Sequence, residues 1–298
     1  MPLRGSLLLA LLSLALPAVA KDTVGLSVST LNNPFFVTLR DGAKAAADKA
    51  GLDLVVLDAQ DKADKQVSDL DDLMQKKVKV ILVNPTDAAA VVPAIKKANA
   101  AGIPVITVDR GASGGAVAFH IASDNVAGGR SAGELACKLL MGKGKMVELE
   151  GIPGSSAARD RGKGFNDYLR ASCTGVKVVS RQTANFDRAQ GLTVMENVLQ
   201  AQPAIDAVFA HNDEMALGAL RAVKASKRAI KIVGFDATDD AVKAVNGCEL
   251  AATVAQQPAE MGRLSVEKAA AILKGAKPGA ETVFVPVALK LVTNPACK

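Results

Sequence analysis

The stretch VGLSVSTLNNPFF, Val24 to Phe36, decides the fold. It opens as a short apolar run with β-branched residues, the pattern of a buried parallel strand. The run stops at Ser29, and Thr30 to Asn33 form a polar loop. Pro34 then falls where a first helical residue belongs, with Asn33 before it as the cap. Phe35 and Phe36 therefore project from the first turn of a helix, at the carboxyl end of a strand. In open α/β sheets ligands bind at that end. Neighbours on a helix point about 100° apart, so two adjacent rings should not share one core. At least one should face a cleft.

Working outward, the same alternation repeats. The first helix runs to about Ala50. Strands then fall at 53–57, 78–83, 103–108 and 117–121, with helices at 64–76 and 87–100. Near Ser123 a second series begins. Its helices read as 125–141, 156–171, 188–200, 214–225 and 239–246, and its strands as 145–150, 176–182, 207–210, 230–235 and 250–254. Short strands alternating with longer helices mean βαβ units and parallel sheets. One ten-stranded sheet would be at the limit of open sheets, so two five-stranded sheets are expected. A helix over 258–274 is left over once the second sheet is complete, followed by extended stretches at 282–285 and 286–292. A helix returning to the first half would make the chain cross the gap three times, a hinge of parallel segments.

The first twenty residues stand apart. Arg4 supplies a positive start, 7–16 is an apolar run, and Ala18-Val19-Ala20 is a small-residue cleavage site. This reads as a signal peptide over 1–20, with a mature, exported chain starting at Lys21. The apolar run is too short for a membrane span, which needs about twenty residues. Removing Arg4 takes the formal charge from +6 to +5. No basic block with interleaved aromatics occurs, so a nucleic-acid partner is not expected. Cys137, Cys173, Cys248 and Cys297 have no metal or C-x-x-C spacing. An even count in an exported chain favours disulfides. Three pairings are open, with Cys137–Cys173 and Cys248–Cys297 preferred.

The residues at the carboxyl ends of the strands share a chemistry. They are Asn33, Phe35 and Phe36; Asp109 and Arg110; Arg159 and Arg161 after a glycine-rich turn; Asn185, Phe186 and Asp187; His211, Asn212 and Asp213; Phe235 and Asp236; and Gln256. Flat rings mixed with planar hydrogen-bonding groups suit a sugar, which has apolar C–H faces and a rim of hydroxyls. Asp109 beside Arg110, and Arg161 with Asp236, balance charge, which favours a neutral polyol over a phosphate. Blander roles compete at single positions. Asp187 and Asp213 read more readily as helix caps, and Asn84-Pro85-Thr86-Asp87 as a turn and cap. Asp69, Asp71 and Asp72 read as a solvated helix face. Phe119, Phe209 and Phe284 read as core.

Catalysis is poorly supported. His120 and His211 have no metal-site spacing, and no nucleophile elbow or phosphate loop follows a strand. Ser155-Ser156 reads as a cap. Asp109 and Asp236 could be a glycosidase pair, but arginine neighbours would depress their pKa values, the wrong direction for a general acid. No catalytic residue, metal or cofactor is expected.

Eight runs carry a wider resemblance. They are KDTVGLSVSTLNNPFFVTL from Lys21, VNPTDAAAVVPAIKKANAAGIPVITVDR from Val83, HIASDNVAGG from His120, SSAARDRGKGF from Ser155, FDRAQGLTVMENVL from Phe186, NDEMALGALRA from Asn212, VGFDATDD from Val233 and LAATVAQ from Leu250. From Lys21 to about Val292 the chain resembles the bacterial periplasmic ribose-binding proteins, of the ribose/galactose-type periplasmic binding protein family. The resemblance implies a type I periplasmic binding protein: two doubly wound parallel-sheet α/β domains joined by a three-segment hinge. The crossings would fall near Ser123-Asp124, Gln256-Gln257 and Ala288-Leu289. The domains would be 21–123 with 257–288, and 124–256 with 289–298. It further implies a monomeric receptor that captures D-ribose, closes over it and delivers it to the membrane permease of an ATP-binding-cassette importer. Some members also dock on a chemoreceptor.

Carried over by position, Phe35, Phe36, Phe186 and Phe235 would stack on the sugar. Asn33, Asp109, Arg110, Arg161, Asn212, Asp236 and Gln256 would bond its hydroxyls, and Ser29 would border the site. Two neighbours depart from the family pattern: His211 stands where a Gln is usual, and Ala237 where a Gly is usual. Within the same class the ligand could be allose, another pentose or a furanosyl compound. A transcription regulator of this fold would need an N-terminal helix-turn-helix, where this chain has its apolar leader. A secreted glycosidase-like enzyme is the remaining class.

Overall fold

The computed structural model describes residues 21–297, so the leader read over 1–20 lies outside the described residues. In chain order the first half comprises β1 (Thr23–Val28), α1 (Pro34–Ala50), β2 (Asp53–Asp58), α2 (Ala63–Gln75), β3 (Val80–Val83), α3 (Val92–Ala100), β4 (Val105–Val108) and β5 (Phe119–Ala122). The chain then passes through α4 (Asn125–Leu139), β6 (Lys143–Glu150), α5 (Ser156–Ser172), β7 (Gly175–Thr183), α6 (Arg188–Ala201) and β8 (Ala207–Ala210). It ends with α7 (Asp213–Ser226), β9 (Lys231–Asp236), α8 (Asp239–Asn246), β10 (Ala252–Ala255), α9 (Pro258–Leu273), β11 (Val283–Pro286) and β12 (Lys290–Thr293).

The strands form two six-stranded sheets, in the orders β11-β5-β4-β3-β1-β2 and β12-β10-β9-β8-β6-β7. The first is parallel throughout, and in the second only β12 runs antiparallel, against β10. Each sheet thus has one strand more than the sequence reading gives it. The sixth strand comes from the tail in both cases. β11 and β12 are separate short segments of that tail, one on the edge of each sheet.

The buried run Val24–Val28 sits inside the first sheet between β2 and β3, as a strand apolar on both faces must. Leu26, Leu39, Leu82, Ile106 and Ile121 form the core around it. α9 packs on α1 through glycines: a β-carbon on Gly262 would fall 2.1 Å from the Leu39 carbonyl oxygen. The chain therefore leaves the first half after β5, returns with α9 and β11, and crosses again to β12. No helix among the described residues is long and apolar enough to cross a membrane.

Several local readings change. The helix expected from Asp87 starts at Val92, because Asp87 Oδ1 accepts from Ala89 and Ala90 N–H in a turn, and Pro93 is confined to the first helical turn. Phe284 is not core. It lies on the edge strand β11, 48% exposed, beside His120. Phe209 is fully buried, whereas Phe119 is half-buried. Asp69 is buried rather than solvated, paired with Lys65 at 2.8 Å one turn earlier. Disulfides join Cys137 to Cys173 and Cys248 to Cys297, the pairing preferred from the sequence.

Candidate functional site

Asn33 caps α1, its Oδ1 accepting from Phe35 N–H at 2.9 Å. Phe35 and Phe36 meet edge to face, 5.1 Å apart. Both rings are buried in the core of the first half, and both also line a cavity between the halves. The expectation that they could not share one core is therefore overturned. At a helix start the edge of the core is also the wall of the cleft, so one turn can serve both.

On the same side, Asp109 follows directly after β4, held at φ 63°. Its Oδ2 accepts from Asn84 Nδ2 at 3.1 Å, and Arg110 Nε lies 3.8 Å from that oxygen. The Arg110 guanidinium is sandwiched between the Phe36 ring at 5.1 Å and the Phe186 ring at 4.9 Å, one from each half.

The opposite wall is built from the second half. Arg161, in α5, donates to Asn125 Oδ1 at 2.8 Å and to the His211 carbonyl at 2.6 Å. It lies over the Phe235 ring at 3.9 Å and 3.7 Å from Asp236 Oδ1. Gln256 Nε2 donates to the same Asp236 oxygen at 2.8 Å. Asn212 caps α7 and also donates to the Phe186 carbonyl at 3.1 Å. Backbone strain concentrates here: Asn185, Phe186, Asp236 and Ala237 all have positive φ, which residues with a β-carbon seldom adopt.

Asn33, Phe35, Phe36, Asp109, Arg110, Arg161, Phe186, Asn212, Asp236 and Gln256 thus line one narrow cavity, together with Ala157. The side chains nearly fill it: about 10 Å³ is left, room for roughly one water, so the walls stand close together around these groups. Two expected residues stand behind the wall. Phe235 backs the Arg161 guanidinium, and Ser29 bonds through N–H and Oγ to Asn84 Oδ1 at 3.1 and 2.7 Å.

The turn reading of Asn84 is corrected, since Asn84 is fully buried and ties Ser29, the Val108 carbonyl and Asp109 together. Its place at the carboxyl end of β3 was the signal for it. Asp187 does cap α6, accepting from Gln190 N–H, but Asp213 is not a cap. It is buried in the first turn of α7, accepting from Thr253 Oγ1 at 2.7 Å and Thr238 N–H at 2.8 Å. Burial pushes its pKa up to about 7. Ser155 occupies the cap position of α5 without a capping bond, while Ser156 Oγ accepts from Gly111 N–H across the cleft at 2.8 Å.

Asp109 and Asp236 are almost wholly buried. Burial raises both pKa values, outweighing the nearby arginines. The depression expected from those arginines is therefore overturned, because desolvation of a carboxylate in a closed cavity is the larger effect. Burial likewise lowers Arg110 and Arg161, opposed by Asp109 and Asp236. Two acids and two arginines still make a site of balanced charge. Asp109 Oδ1, Arg110 Nε and Nη1, and Gln256 Oε1 are buried with no partner among the described residues. Acceptors and donors are thus left unmatched within one cavity walled by rings. That set fits a neutral molecule carrying several hydroxyls.

Known proteins share this architecture. The chain matches the periplasmic binding protein domain over residues 24–277. It is 50% identical to the ribose import binding protein of Haemophilus influenzae, over 95% of each chain. It is 53% identical to the ribose import binding protein of Escherichia coli, over 93% of this chain and 92% of that one. The crystal structure of the Caulobacter myo-inositol binding protein bound to myo-inositol superposes with a TM-score of 0.86 at 35% identity, covering 94% of this chain and 95% of that one. These relatives are binding proteins, not enzymes, and with the match spanning both halves, this chain belongs to the periplasmic binding protein domain family.

Proposed function

We propose that this protein is the periplasmic receptor of an ATP-binding-cassette importer and that it captures D-ribose in the cavity between its two halves. The observation that carries the reading is the set of unmatched buried polar atoms on Asp109, Arg110 and Gln256 beside the Phe35, Phe36 and Phe186 rings. Each costs about 1–3 kcal/mol while unpaired, and a sugar's hydroxyls would relieve it. The rings would cover the C–H faces. The ribose import binding proteins at 50% and 53% identity support this choice among sugars.

The moving bodies would be 21–123 with 257–288, and 124–256 with 289–298. Sugar would favour the closed form because only there do both walls contact it. The closed, monomeric receptor would then present one face to the permease, and it would also dock on a chemoreceptor as some members of the family do. The leader over 1–20 would direct export and be removed before Lys21.

Isothermal titration of residues 21–298 with D-ribose, beside allose, arabinose, xylose, galactose and glucose, tests the reading. One-to-one ribose binding is expected. Asp109→Ala and Arg161→Ala should each weaken it about 100-fold or more, the loss of two charge-assisted hydrogen bonds. Heat from another sugar alone would overturn the specificity, and silence with every sugar would overturn the receptor reading.

A further inference from the structure

Behind the second wall lies a buried network that the ligand-binding reading does not use. Glu148, on β6, is fully buried. Its two oxygens accept from Asn166 Nδ2 at 3.0 Å each, and Oε2 accepts from Arg181 Nε at 2.7 Å. His211 Nε2 lies 3.0 Å from Oε1. A carboxylate accepts, so this ring nitrogen carries the proton. His211 is itself fully buried, between β8 and α7, with its ring 5.2 Å from that of Phe209. Its main-chain carbonyl accepts from Arg161 Nη1 at 2.6 Å. One residue thus holds Glu148 by its ring and Arg161 by its carbonyl. α5 closes tightly over the pair: a β-carbon on Gly162, next to Arg161, would fall 3.2 Å from His211 Cε1 and 3.4 Å from Glu148 Oε1.

Filling a core this way has no advantage in stability, since apolar side chains of similar volume often do as well or better. What the network supplies is direction. If the His211 ring turned, Glu148 Oε1 would be left with only the Asn166 donor that it shares with Oε2, and a fixed ring fixes the carbonyl of the same residue. All the groups involved belong to the second half, so the arrangement does not depend on cleft closure.

We propose that the Glu148–His211 pair is a positioning device for Arg161 and thereby sets how tightly the cavity holds its sugar. This rests on the receptor reading above. Ribose titration of His211→Leu, His211→Gln and Arg161→Lys, and of the double variant His211→Leu/Arg161→Lys, tests it as a cycle. His211→Leu should bind about ten-fold more weakly, and in the Arg161→Lys background the same change should have less than about a two-fold effect. His211→Gln keeps a donor for Glu148 and should recover most of the affinity. Equal affinity of His211→Leu and the parent, or the same loss in both backgrounds, overturns the proposal. If His211→Leu does not fold, Glu148→Gln takes its place with the same expectations.

The Arg161 Nε–H resonance of the ligand-free protein gives a second readout that needs no sugar. It should move in His211→Leu and stay in His211→Gln. An unmoved resonance overturns the positioning role. A moved resonance in a protein that binds no ribose overturns the receptor reading and leaves the positioning role standing.

Discussion

Asp236 at φ 122° and Ala237 at φ 59° put two strained residues in sequence where a carboxylate must meet Arg161. A β-carbon in the left-handed region costs about 1–2 kcal/mol. At Asp236 that strain belongs to the site, since its side chain lines the cavity. At Ala237 the methyl group does no such work. Ala237→Gly should therefore stabilise the protein, by about 0.5–1 kcal/mol after the extra unfolded-state entropy of glycine. That corresponds to a melting temperature higher by about 1–3 °C in a scan of the ligand-free protein. A lower melting temperature would show that the left-handed backbone here carries no penalty. At this scale the grouping of the cavity residues was legible, because they sit at strand ends and their types are informative. Asn84 was not, since its dipeptide with Pro85 imitates a turn and its buried partners Ser29, Val108 and Asp109 come from two other strands. Nor was the direction of the Asp109 and Asp236 shifts, because sequence names the arginines but not the depth of burial.

Between elements, glycine decides how close two backbones come. A β-carbon on Gly129 of α4 would fall 2.0 Å from the Arg161 carbonyl oxygen of α5. One on Gly175, where β7 begins at the far end of the sheet, would fall 2.3 Å from the Gly142 carbonyl oxygen. Both clashes are backbone against β-carbon, and each alanine should cost about 1–3 kcal/mol. Only the first displaces a helix that carries a residue of the cavity wall. Gly129→Ala should thus lower both the melting temperature and the ribose affinity, whereas Gly175→Ala should lower the melting temperature alone. Matching affinities in the two variants, read by titration, would mean that α5 absorbs the displacement before it reaches Arg161. The alternation that makes these elements was plain in the sequence, since buried strands and capped helices announce themselves locally. The edge strands were not, because four apolar-polar residues such as those of β12 acquire meaning only when β10 is beside them.

Across the whole molecule, the two halves meet through few bonds. Ala88 N–H donates to the Gly154 carbonyl at 3.0 Å, Gly111 N–H donates to Ser156 Oγ at 2.8 Å, and Arg110 stacks on Phe186. The sequence feature that marks this arrangement is the helix left over after the second sheet, whose return to α1 makes the chain cross three times. The cross-cleft bonds themselves were invisible, because Ser155-Ser156 at a helix start reads as a cap whichever hydroxyl faces outward. Such bonds exist only when the halves are together, so they weight the closed form without adding to the stability of either half. Ser156→Ala removes one of them and leaves the Gly111 N–H in search of water. One neutral hydrogen bond is worth about 1 kcal/mol, so ribose should bind about five-fold more weakly. The loss should fall on the dissociation rate, because the bond forms after the sugar has entered. The melting temperature of the ligand-free protein should stay unchanged, and small-angle scattering should still show the molecule contracting when ribose is added. An unchanged dissociation rate would mean that the sugar's own contacts hold the halves together and that Ser156 is a bystander. A lower ligand-free melting temperature would mean that the hydroxyl supports α5 within its own half, and the cleft would then close by the cavity residues alone.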